Sequence, residues 1–131
     1  MKHTKKVFVV LLALLLALLP LTACGETTEG LLDEEITITV KVTHKDLSEK
    51  VFEITTRQPT LLAALQEKGL VEGDDQQTSF YITTVDGELA DWSVDEGWWS
   101  ISKGGVSLMT GAETTLIADG EVYEFTYKIG F

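Results

Sequence analysis

The chain has 131 residues, with 21 acidic against 10 basic side chains and a formal net charge of -11. That length holds one compact domain, and the charge opposes phosphate backbones, which argues against nucleic acid as a partner. With a single cysteine, Cys24, no disulfide can form within the chain, so the fold must rest on a hydrophobic core.

The first element is an export signal. MKHTKK is a short basic segment, and VFVVLLALLLALL (Val7 to Leu19) is an uninterrupted apolar run closed by Pro20. The run is shorter than the roughly 20 residues that span a bilayer, so the pattern predicts a signal sequence rather than a permanent membrane helix. LTAC (Leu21 to Cys24) resembles the lipobox of bacterial lipoproteins. Its small side chains suit a peptidase groove, and the Cys24 thiol is the nucleophile that accepts the lipid. Residues 1–23 are therefore read as a lipoprotein signal peptide, and the chain as anchored by lipid to the outer face of the bacterial cell membrane. All the acidic residues follow residue 23, whereas Lys2, Lys5 and Lys6 precede it. Residues 24–34, polar and acidic without periodicity, read as a flexible tether. Residues 35–131 are expected to fold.

Within that part, ITITVKVT (36–43) alternates, with Ile36, Ile38, Val40 and Val42 on one face. VFEITT (51–56) alternates again after the polar turn HKDLSEK, and the pair reads as a hairpin. A helix follows. Thr60 is its N-cap, Leu61, Leu62 and Leu65 lie at core spacing, and Gly69 is a C′ residue that lets Leu70 pack back on Leu65. SFYITTV (79–85), GWWSIS (97–102) and VYEFTYKIGF (122–131) read as further strands. Strand, strand, helix, strands predicts an α+β fold: β-grasp-like, a small mixed or antiparallel sheet with one helix packed across it. VDGEL (85–89) and ADGEV (118–122) form a small repeat. Asp-Gly between apolar residues is a turn signal. Calcium binding through Asp86, Glu88, Asp119 and Glu121 is the alternative, but each turn offers only two carboxylates where a calcium loop needs several.

The residues offer little for catalysis. His44 is the only histidine after the signal and lies in a polar turn, where a lone imidazole reads as a solvated surface group. Zinc would need further His or Cys ligands, and there is neither a phosphate-binding glycine loop nor a nucleophile elbow. The expectation is a protein that is not an enzyme and holds no metal or cofactor.

The segment WWSISKGGVSLMTGAETTLIADGEVYEFTY (98–127) resembles a bacterial domain of unknown function related to the C-terminal domain of transcobalamin and intrinsic factor. Trp98-Trp99, Thr110-Gly111, Asp119-Gly120 and the aromatic strand Tyr123 to Tyr127 follow that pattern in order. PTLLAAL (59–65) resembles its helix start and ITITVKV its first strand, so the resemblance spans 35–131. Lys103 and Gly104 precede Gly105 where the pattern usually has Asn-Gly. The resemblance implies a transcobalamin-like β-grasp-like domain that binds a soluble ligand, a corrinoid among the options. In the vitamin carriers such a domain covers one face of cobalamin.

Strand parity divides the two adjacent tryptophans. Trp99 shares a face with Ile101 and belongs to the core, whereas Trp98 shares the polar face with Ser100 and Ser102. An indole left in water forfeits roughly 1.5–3 kcal/mol of burial, so something is expected to cover Trp98. The connection VSLMTGAETTLIADG (106–120), a ligand stacked with Trp92, and a protein partner are the three coverings. Trp92, Trp98 and Ser100 are thus the candidate ligand-binding residues and Cys24 the lipidation site. The expected function is a lipid-anchored, cell-surface, non-catalytic module that binds a small soluble ligand, corrinoid-like or another metabolite, as an accessory to uptake. A transporter or surface protein is its expected partner. The alternative is an envelope or adhesion module that binds protein or glycan, and metal binding has little support from the available ligands.

Overall fold

The computed structural model describes residues 30–131. Cys24 and the segment read as a signal peptide lie outside the described residues. Strands β1 (Ile36–Thr43) and β2 (Glu49–Thr56) form the expected antiparallel hairpin, with Ile38 opposite Ile54. Helix α1 (Leu61–Glu67) follows, then β3 (Val71–Gln76), β4 (Ser79–Val85) and β5 (Glu88–Leu89). A four-residue helix α2 (Trp92–Asp95) leads into β6 (Gly97–Lys103), and β7 (Val106–Ser107) and β8 (Val122–Ile129) complete the order.

The strands make two sheets. The larger has the order β2-β1-β8-β6-β7, and the smaller β3-β4-β5. In the larger, β8 lies parallel to β1 and antiparallel to β6, so the sheet is mixed. The fold is α+β with strands dominating. One sheet and one helix were expected, and the difference has a physical cause. VEGDDQ (71–76) is acidic and contains Gly73, so it lacks the alternation that marks a strand, yet it pairs antiparallel with β4 along its whole length.

The alternation of β1 explains its position. Ile38, Val40 and Val42 are fully buried, and they share one core with Ile54, Trp99, Tyr123 and Phe125. Leu61, Leu62, Ala64 and Leu65 of α1 enter the same core. At seven residues α1 cannot stand alone in water, and its ends are closed as the sequence predicts. Thr60 Oγ1 accepts a hydrogen bond from the Ala63 N–H at 3.3 Å. Leu70 N–H donates to the Leu65 carbonyl and Gly69 N–H to that of Gln66, both at 3.0 Å, with Gly69 at φ 66°, which is the Schellman closure.

The long connection between β7 and β8 serves the start of α1. Leu61 N–H donates to the Thr115 carbonyl and Leu62 N–H to the Ala112 carbonyl, at 2.9 and 3.0 Å. These are amides that a helix leaves unpaired. Ala112, Thr115 and Ile117 are buried along the way. At the other end of the core, Arg57 donates to the Leu32 and Asp33 carbonyls, so residues counted by sequence in the tether are fastened to the end of β2.

Candidate ligand-binding groove

The two Asp-Gly segments are turns of different kinds. Asp86 and Gly87 both take positive φ, 48° and 78°, which suits a two-residue hairpin loop between β4 and β5. At the second segment only Gly120 does, at 82°, and Asp119 Oδ1 instead accepts from the Thr37 N–H at 2.8 Å. Gly120 N–H donates to the Thr37 carbonyl, so this turn seats the start of β8 beside β1.

The first turn assembles a polar cluster that the sequence did not suggest. His44, read as a solvated surface group, is only 12 % exposed. Its Nε2 lies 2.8 Å from Asp86 Oδ2 and its Nδ1 2.9 Å from Glu88 Oε1. Trp99 meets the imidazole edge-on at 6.0 Å between centroids. Lys50 approaches Asp86 at 3.1 Å, and the Lys45 backbone N–H donates to Glu88 at 3.0 Å. Burial disfavours the imidazolium, but the bonds to Asp86 and Glu88 outweigh it and hold the His44 pKa above its ordinary value. Burial likewise opposes ionisation of Asp86, and the bonds from His44 and Lys50 outweigh it, so its carboxyl titrates below the usual range. The donors are thereby engaged with one another. Among the described residues, no group of three or more His, Cys, Asp and Glu is set to hold a metal ion.

The two tryptophans separate as strand parity predicts. Trp99 is 6 % exposed and packs edge-on against Tyr127 at 5.4 Å, with its indole N–H donated to the Glu88 carbonyl. Trp98 points to the opposite face. Its indole N–H donates to the Gly130 carbonyl at 2.7 Å, which satisfies the polar edge and leaves the ring faces apolar. Lys128, directly opposite on β8, holds its ammonium 5.9 Å from the Trp98 ring centroid.

What lines the groove beside Trp98 is not the 106–120 connection but three aromatic rings. Tyr81 of β4, Trp92 of α2, Trp98 and Phe131 line one groove of about 330 Å³. Trp92 and Phe131 stack at a tilt with centroids 5.2 Å apart. Tyr81 is 47 % and Trp92 43 % exposed, so the rings face solvent.

Small local devices set these rings. Asp91 caps α2 by accepting from the Ser93 N–H at 2.9 Å. Glu96 ends the helix at φ 59°, its N–H on the Trp92 carbonyl, and its own carbonyl accepts from Gly130 N–H at 3.0 Å. Gly97 opens β6 where a Cβ would strike the Tyr127 hydroxyl. The structure thus brings Trp92 and Trp98 together and adds Tyr81 and Phe131, which sequence reading missed. Ser100, half-buried and opposite Thr126, shares the Trp98 face but does not line the groove.

No family model matches the chain, and no curated protein does. Among solved structures, a protein of Ruminococcus gnavus ATCC 29149, described as a candidate metal binding protein, aligns with a TM-score of 0.71. The two are 42 % identical over 74 % of this chain and 100 % of that one. This chain belongs to the family of that protein. Haptocorrin, of the transcobalamin family and solved in complex with Cbi, aligns with a TM-score of 0.62 over 76 % of this chain. At 18 % identity that likeness is one of fold, and the chain spans only 26 % of haptocorrin. The family's fold thus recurs as one part of a larger ligand-binding protein.

Proposed function

We propose that the chain is an exported, lipid-anchored, non-catalytic module that holds a small soluble ligand against Trp92 and Trp98. The observation that carries this is the groove itself. Four aromatic rings from three separate parts of the chain converge on one open groove of about 330 Å³. Exposed apolar area of that kind marks a place for a ligand or partner. The groove is open and shallow, so a small molecule would stack on its rings rather than be enclosed, and a protein or glycan partner is the second reading. The strand order, with a hairpin, a crossing helix and β8 parallel to β1, supports a β-grasp-like reading. The haptocorrin complex supports soluble-ligand binding by this fold, with a corrinoid as the first compound to try. The metal binding described for the Ruminococcus gnavus relative finds less support in this chain, where His44, Asp86 and Glu88 already satisfy one another. Export and anchoring rest on the signal pattern and Cys24.

The test is titration of the full chain with Cbi and a panel of small metabolites, followed by tryptophan emission. A bound ligand shifts emission saturably, and Trp98→Ala weakens binding about tenfold or more, as loss of a buried aromatic anchor does. Emission that no compound perturbs overturns the small-ligand reading and leaves a protein or glycan partner.

A further inference from the structure

We propose that the groove selects a small organic cation whose ammonium is methylated. This rests on the reading of the groove as a small-ligand site and names the chemistry of its ligand. Aromatic faces carry negative potential and attract cations positioned over them. Trp98 already does so, with the Lys128 ammonium 5.9 Å from its centroid. The groove therefore holds a ring that accepts a cation, with one of the protein's own charges beside it.

Two carboxylates stand beside the rings. Asp74 is the cross-strand partner of Tyr81, so both project from the same face of the smaller sheet. The Glu96 carboxylate lies against Gly130, next to Phe131. Both are exposed. Among the described residues, Lys128 is the one basic residue facing a ring of the groove. A field of this sign draws cations and repels anions.

The lining then chooses among cations. Its four residues are all aromatic, and the Trp98 N–H is spent on the Gly130 carbonyl. The ring faces themselves offer a primary ammonium or guanidinium no acceptors, so its N–H groups must turn to the Tyr81 hydroxyl, to the flanking carboxylates or to water. A methylated ammonium has few or no N–H groups to satisfy, and it presents a charged but apolar surface to the rings. Rings in this number around one site are suited to quaternary ammonium ligands.

The experiment compares choline and tetramethylammonium with 3,3-dimethylbutan-1-ol, the uncharged carbon analogue of choline. Binding to the full chain is read by tryptophan emission and by calorimetry. The cations bind on the order of tenfold more tightly than the alcohol. Phe131→Ala and Trp92→Leu weaken them, and Lys128→Gln, which frees the Trp98 face, tightens them several-fold. Equal affinity for choline and the alcohol overturns the cation inference and leaves the small-ligand reading intact. So does binding of Cbi without binding of either cation. Silence towards the cations, the alcohol, Cbi and the metabolite panel alike overturns both.

Discussion

Both ring nitrogens of His44 face carboxylates, at 2.8 and 2.9 Å, and only the doubly protonated imidazolium can donate to both. The charged form is thus the one the fold stabilises, and the raised pKa expresses the same fact. The groups around it are Asp86 and Glu88 across the β4–β5 turn, with Lys50 on Asp86, Lys45 and Asp46 in its own turn, and the Trp99 edge. Because the folded pKa lies above 6.5, the stabilisation is complete below that value and fades as pH rises through the raised one. Asp86 works oppositely: its contribution is present above 3.8 and is lost as pH falls through its depressed pKa. Thermal melts across this range should show His44→Gln about 1 kcal/mol less stable than the parent below 6.5, the two converging at higher pH. A constant gap at every pH would mean that His44 acts by packing alone. The cluster was hard to read because its partners lie 42 and 44 residues from His44 in sequence. Asp86 sits in the turn and Glu88 opens β5, so the loop geometry rather than strand alternation brings both carboxylates to His44.

Among the elements, those with strong local signals were legible: the alternating β1, the capped α1, and the opposite faces of Trp98 and Trp99. Pairing was not, since nothing local in VYEFTYKI says that it will lie parallel to β1 across eighty residues. Strand β3 was hidden for a related reason. Its acidic side chains carry no hydrophobic alternation, and the ladder shifts register between Glu72 and Gly73. Gly73 is what permits that irregularity. A Cβ there would lie 2.9 Å from the Ile82 Cα and closer still to the Tyr81 carbonyl oxygen, both backbone atoms that cannot swing aside. Gly73→Ala should therefore cost about 1–3 kcal/mol in urea unfolding, with Ser79→Ala on the same hairpin within about 0.5 kcal/mol of the parent. Because Tyr81 lines the groove, Gly73→Ala should also weaken ligand binding. An unchanged urea midpoint would show that β3 yields and that the bulge is not rigid.

At the scale of the whole molecule, the proposed attachment to the membrane rests on one residue, Cys24. The chain's 21 carboxylates against 10 basic groups oppose association with anionic headgroups. No helix among the described residues is long and apolar enough to cross a bilayer. On the proposed reading a lipidated Cys24 would supply the anchor, since each buried methylene of an acyl chain adds about 0.8 kcal/mol and two or more chains make the anchor stable. Cys24→Ala should then move the protein from the membrane fraction to the soluble fraction and abolish incorporation of labelled fatty acid. Membrane association that survives the substitution would transfer anchoring to the apolar run Val7 to Leu19. The groove is built wholly from residues 81–131, so the released variant should bind its ligand with the affinity of the parent. Such independence of anchor and groove is what the proposed tethered capture module requires: the lipid would set where the protein is, and the aromatic rings what it holds.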